Sequence, residues 1–148
     1  MEIAYSKQPS HIAGEGLFAQ EPVLAGTCVW RYMTNENVLE FDAKACRAHL
    51  ANMTTLSAQQ EFLNVTFGRG QKLCLILDEG RFINHAAPPN QNCRTDLRSG
   101  NCYALRDIAP GEELLEDYAA FAHPDFLYDL LAQYNCTPAY YQLPLCLK

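Results

Sequence analysis

Long apolar runs are missing: nowhere in the 148 residues does one approach the roughly 18 needed to cross a bilayer, so no helical membrane span is expected. The opening residues, MEIAYSKQPS, have neither a basic head nor an apolar core, and the expectation is an intracellular protein, nuclear or cytoplasmic. No C-x-x-C pair occurs among the seven cysteines. Without tight ligand spacing, neither a zinc site nor a disulfide framework is indicated, and no bound metal is expected. A glycine-rich phosphate loop is absent too, and nothing reads as βαβ, which sets aside dinucleotide-binding and P-loop folds. Positive charge is scarce, with 11 Lys and Arg against 17 Asp and Glu for a formal net charge of −6. That balance argues against direct nucleic-acid or membrane partners and favours cationic ones.

What is present fits one domain over 1–148 with a sizeable core, 49% of its residues being hydrophobic. Several cysteines lie inside apolar runs (TCVW, KLCLIL, NCYAL), where a reduced thiol behaves as a small hydrophobe. A faint internal echo links FAQEPVLAGTCV (Phe18 to Val29) with YALRDIAPGEEL (Tyr103 to Leu114). Each has an aromatic followed by Ala, then a β-branched residue and a later Gly, and each reads as a strand–turn–strand hairpin with Gly26 or Gly111 in the turn. Alternation in TCVWRYM suggests a further strand.

A helical insert is expected over about 36–63. Asp42 is placed to cap AKACRAHL, and Ser57 with Gln60 reads as a capping box opening SAQQEFL. In the C-terminal helix and tail, 122–148, Pro124 and Asp125 mark a helix start, and Phe126, Leu127, Leu130, Leu131 and Tyr134 share one face. The expected fold class is mainly β, with inserted and appended helices around a core of about 10–121.

Three segments carry the functional signal: GEGLFA (Gly14 to Ala19), RFINHAAPPN (Arg81 to Asn90) and GEELLEDY (Gly111 to Tyr118). Taken alone, Asn84–His85 is ordinary turn chemistry, and Gly14 and Gly16 are turn residues. In this order and spacing, however, the three segments resemble the SET domain, a protein-lysine methyltransferase family. The resemblance implies a β-clip-like fold of small curved sheets in which the Asn-His segment and the terminal Asp-Tyr strand cross as a pseudoknot. It implies S-adenosylmethionine as cofactor, leaving as S-adenosylhomocysteine. Glu15, Gly16, Leu17, Arg81, Phe82, Asn84, His85 and Tyr118 would hold it, with the glycine letting backbone approach the ligand closely. Tyr118 is the implied catalytic residue, and Tyr32 the implied aromatic of the lysine channel. Tyr134, Tyr140 and Tyr141 either close that channel or are plain aromatics of a terminal helix and tail.

Methyl transfer needs a neutral lysine amine, although its reference pKa is near 10.4. An apolar aromatic channel disfavours the ammonium by desolvation, so alignment rather than a strong base is the main demand. Two departures from the family pattern stand out. NHAAPPN replaces the N-H-S-C form, and no cysteine cluster follows the domain. Glu116 takes the place of an aromatic two residues before Tyr118, which leaves the number of methyl groups added open. Bordering the channel, it would face solvent, accept a hydrogen bond from the amine, mark a substrate unlike a histone tail, or hold a water that limits methylation to one step. The implied partner is a basic protein or peptide, a histone tail or another lysine-bearing segment. Whether a homodimer completes the groove is open. The alternative function is a SET-like peptide-binding module without turnover.

Overall fold

In the computed structural model, which describes residues 1–136, the two echoing segments do not close as separate hairpins. They pair with each other. Ala19 N–H donates to Glu112 O at 3.0 Å and Ala104 N–H to Thr27 O at 2.9 Å. Gly111 N–H reaches Ala19 O at 2.7 Å, and Gly26 N–H reaches Ala104 O at 2.8 Å. Val23 and Ile108 exchange both of their backbone bonds at the centre. One shift in sequence carries Ala19 to Ala104, Val23 to Ile108 and Gly26 to Gly111, so the pairing is pseudo-two-fold. Both glycines have φ +82°, a left-handed turn conformation that a Cβ would strain. The symmetry does not extend to the side-chain contacts. Ala25 N–H donates to the Asp107 carboxylate at 2.8 Å, whereas the matching positions are Pro110 and Pro22, with neither donor nor carboxylate.

The chain divides into two compact units. The first comprises Met1–Asn37 and Leu77–Tyr118, and the second Val38–Ile76 and the chain from Ala119 onward. In the first, β1 (Tyr5–Pro9) and β2 (Glu15–Ala19) form an antiparallel ribbon. Strands β3 (Cys28–Trp30), β7 (Asn84–His85), β8 (Cys93–Thr95), β9 (Cys102–Ala104) and β10 (Leu115–Glu116) make a five-stranded sheet in the order β3-β9-β8-β10-β7. Strand β10 runs parallel to both β7 and β8 and lies between them. Residues 86–92 must therefore cross from one side of β10 to the other, which is the pseudoknot. Strand β3 is shorter than the alternation suggested. Its register with β9 is irregular between Cys28 and Trp30, Val29 and Trp30 are both buried, and Tyr32 falls beyond its end.

The second unit holds the antiparallel sheet β4-β6-β5, from β4 (Val38–Phe41), β5 (Thr66–Arg69) and β6 (Lys72–Ile76), with α1 (Ala43–Ala51), α2 (Leu56–Val65) and α3 (Asp125–Gln133). The insert is thus a sheet with helices that runs on to Ile76, longer than the expected 36–63. Asp42 caps α1, accepting from Ala45 N–H at 2.8 Å. The cap of α2 is Thr55, not Ser57: Thr55 Oγ1 accepts from Ala58 N–H at 3.2 Å, and Ser57 lies inside the helix. Leu50, Leu63, Leu73, Leu127 and Leu130 are fully buried in one cluster, with Phe126 and Tyr134 packed against it. Burial of each such leucine stabilises by about 1.5–3 kcal/mol. Gly68 permits close backbone approach, since a Cβ there would lie 1.9 Å from Ala122 O. The described fold is mainly β with inserted and appended helices.

Candidate active site

Strand β7 is only Asn84–His85, and its pairing with β10 aligns Leu115 with Asn84 and Glu116 with His85. The Asn84 amide reaches back to the first glycine-rich segment. Its Nδ2 donates to Glu15 O at 3.0 Å, to Glu113 Oε1 at 2.8 Å and, at 3.2 Å, to Ala13 O. Its Oδ1 accepts no hydrogen bond among the described residues. Two motifs far apart in sequence therefore meet at one amide, with an acceptor left over. Gly16 is also needed by its protein neighbours. A Cβ there would fall 2.1 Å from Glu113 Oε1 and 3.1 Å from Asn84 Nδ2, so the missing side chain makes room for this cluster. Leu17 is fully buried, and its carbonyl accepts from Leu114 N–H at 2.7 Å.

His85 and Tyr118 are brought together by the same crossing. Tyr118 N–H donates to His85 Nδ1 at 3.1 Å, and their rings lie 5.2 Å apart. Glu116 O, 3.2 Å from the same nitrogen, already accepts from Ala86 N–H. This arrangement favours Nδ1 as acceptor, with the imidazole proton on Nε2. The Tyr118 hydroxyl donates to Ile83 O at 2.5 Å. A phenol that donates its hydrogen keeps only acceptor capacity. Two oxygens in close contact give a locally negative spot, suited to a polarised C–H or a cationic group.

The Glu116 side chain packs within the sheet. It is 7% exposed, and its carboxylate turns into the sheet, where Oε1 accepts from Thr95 N–H. Burial raises its pKa above the ordinary carboxylate value, opposed by hydrogen bonds from Thr95. The neighbouring Cys102 thiol is pushed well above its usual value by its hydrogen bond with Cys93, by burial and by the Glu116 charge. No disulfide is formed by the six cysteines among the described residues.

Arg81 and Phe82 occupy a 3₁₀ turn, Glu79–Phe82, in which the Arg81 guanidinium and the Lys7 ammonium lie 4.7 and 4.4 Å from the Phe82 ring. The turn is capped by Asp78, whose carboxylate also accepts from Trp30 Nε1 at 2.9 Å and Asn37 Nδ2 at 2.9 Å. Tyr32 is placed by Gly100 (φ +82°), where a Cβ would collide with its ring, and by a 3.0 Å bond from its N–H to Asn101 Oδ1. Tyr134 packs against the helical cluster of the second unit, while Tyr140 and Tyr141 lie outside the described residues.

Sequence reasoning missed Glu113, Asp78 and Asn92. Asn92 is fully buried and saturated, accepting from Leu115 N–H at 2.8 Å and donating to Glu113 O at 2.7 Å and Glu112 Oε1 at 3.0 Å. It holds the chain that enters β10. The one signal for it is a polar residue directly before the apolar start of β8.

The comparisons follow the same lines. The family model for the SET domain matches residues 14–119. No curated protein matches the sequence. Among solved structures, a Plasmodium falciparum protein named for histone methyltransferase activity is similar at TM-score 0.53 and 16% identity, covering 80% of this chain and 95% of that one. At that identity the likeness shows the fold alone. The chain belongs to the SET domain family.

Proposed function

We propose that this chain is an S-adenosylmethionine-dependent methyltransferase acting on the ε-amine of a protein lysine. The observation that carries the reading is the Tyr118 hydroxyl donating to Ile83 O beside the Asn84–His85 strand. Asn84 Oδ1, His85 and the backbone of Glu15–Leu17 are the groups that would hold the cofactor, and a free amide acceptor beside an ordered strand fits a polar ligand. S-adenosylmethionine, when bound, would supply a sulfonium-activated methyl group for the amine nitrogen, with the thioether S-adenosylhomocysteine as leaving group. The chain's part is alignment: Tyr118 Oη accepts weak C–H contacts of about 0.5–1 kcal/mol each, which orient a group without carrying catalysis. Orientation itself is worth about 7–11 kcal/mol. The amine proton passes to water.

The net charge of −6 supports a basic substrate segment inside the cell, histone or otherwise, through charge complementarity. Glu116 was the sequence feature that favoured a binding module without turnover, and its carboxylate is held by Thr95 within the sheet instead. Labelled S-adenosylmethionine, incubated with the protein, core histones and a cell lysate, tests the reading, and a labelled band supports it. No label, with no calorimetric heat from S-adenosylmethionine, moves the assignment to the binding module.

A further inference from the structure

Glu113 is outside the residues that the motifs single out, yet the polar contacts around the start of β2 converge on it. Its Oε1 accepts from Asn84 Nδ2 at 2.8 Å and its Oε2 from Ser10 Oγ at 3.0 Å. Ser10 Oγ accepts from Ile12 N–H at 2.9 Å, and Ser10 N–H donates to Gly14 O at 2.9 Å, so the exposed bend 10–14 is tied to the same carboxylate. Gly16 leaves the space that the carboxylate fills.

An asparagine amide has two ends of similar shape and opposite polarity. Here three acceptors, Ala13 O, Glu15 O and Glu113 Oε1, surround one end. The reversed amide would set its oxygen against two carbonyls and a carboxylate. The carboxylate is the strongest of the three, because a hydrogen bond to a charged acceptor is roughly twice as strong as a neutral one. We propose that Glu113 is a positioning residue that fixes the orientation of the Asn84 amide, holding its NH2 inward so that Oδ1 is the end presented to a ligand. Only the ligand's identity rests on the methyltransferase reading.

The test has a ligand-free arm and a ligand arm. In ¹⁵N spectra of the free protein, the Asn84 side-chain NH2 pair is assigned by its disappearance in Asn84→Ala. Glu113→Gln should move that pair and speed its exchange with solvent, and an unmoved pair overturns the proposal. If Glu113→Gln does not fold, Glu113→Asp, which keeps the charge and shortens the reach, should give the same shift. In calorimetry with S-adenosylhomocysteine, Glu113→Gln should weaken binding about tenfold. The double variant should bind no more weakly than Asn84→Ala alone, because residues acting through one contact are not additive. Losses that multiply overturn the positioning role. A wild-type protein that does not bind S-adenosylhomocysteine removes the methyltransferase reading and the ligand half of this one, while the spectra still decide whether Glu113 orients Asn84.

Discussion

The unit holding α1, α2 and α3 and the site built on β7 and β10 are stabilised by different chemistry. In the former, Leu50, Leu63, Leu73, Leu127 and Leu130 lose all solvent contact against one another, and each contributes in proportion to the apolar area it removes from water. In the latter, Asn84, Glu113, Asn92 and Ser10 fill buried or half-buried positions whose cost is offset only because their donors and acceptors match. An apolar cluster tolerates changes that preserve volume. A polar cluster fails when one partner is lost, because the remaining partners are left unpaired. Stability and function should therefore respond to different substitutions, and this separation can be tested.

Leu63→Ala should have the largest effect, about 2–5 kcal/mol of stability, because it opens a cavity among fully buried side chains. Denaturant unfolding measures it, and S-adenosylhomocysteine affinity of the folded fraction should not change. A weakened site would mean that the cluster also shapes the binding groups. Tyr118→Phe should do the reverse. It removes the hydroxyl on Ile83 O and should lower kcat about 100-fold, ~2.7 kcal/mol, with little change in cofactor affinity or melting temperature. Wild-type turnover in this variant would sink the assignment of Tyr118. Gly16→Ala tests the polar cluster from its glycine side. The new Cβ displaces the Glu113 carboxylate, and affinity for S-adenosylhomocysteine should fall about tenfold with turnover per bound complex preserved.

How far the sequence foretold this arrangement depends on the range of the signal. Asp42 and the apolar face of α3 were readable because helix caps and helix faces are local. Asn84, His85 and Tyr118 were readable because three motifs in order identified the family. The hairpin echo misled, since Gly26 and Gly111 announce the same turns whether the flanking strands pair with themselves or with the other copy. Ser57 and Thr55 are both hydroxyl residues at the same helix start, and only backbone geometry decides which one caps. Glu113 and Glu116 were beyond reach for a shared reason. In so short a strand as β10, and in the residues that lead into it, the face that each side chain takes is set by the crossing of residues 86–92, a long-range event with no local pattern.

Glu116 gives the last test, and the smallest expected effect, because its carboxylate is buried and held by Thr95. Its folded pKa is raised, chiefly by burial. Between the ordinary carboxylate value and this raised value the folded protein binds more protons than the unfolded chain, so stability falls as pH rises through that window. Above the window the full cost of the buried charge remains. Glu116→Gln removes the charge but keeps an oxygen to accept from Thr95 N–H. The variant should come closest to wild type near pH 4 and exceed it in stability, read as a higher Tm, at pH 8. Thermal melts at the two pH values decide. A Gln variant less stable than wild type at pH 8 would mean that the charge strengthens the Thr95 bond by more than burial costs. Methylation products from a substrate peptide should show the same ladder for both proteins, since the carboxylate is turned into the sheet. A changed ladder would return Glu116 to the channel.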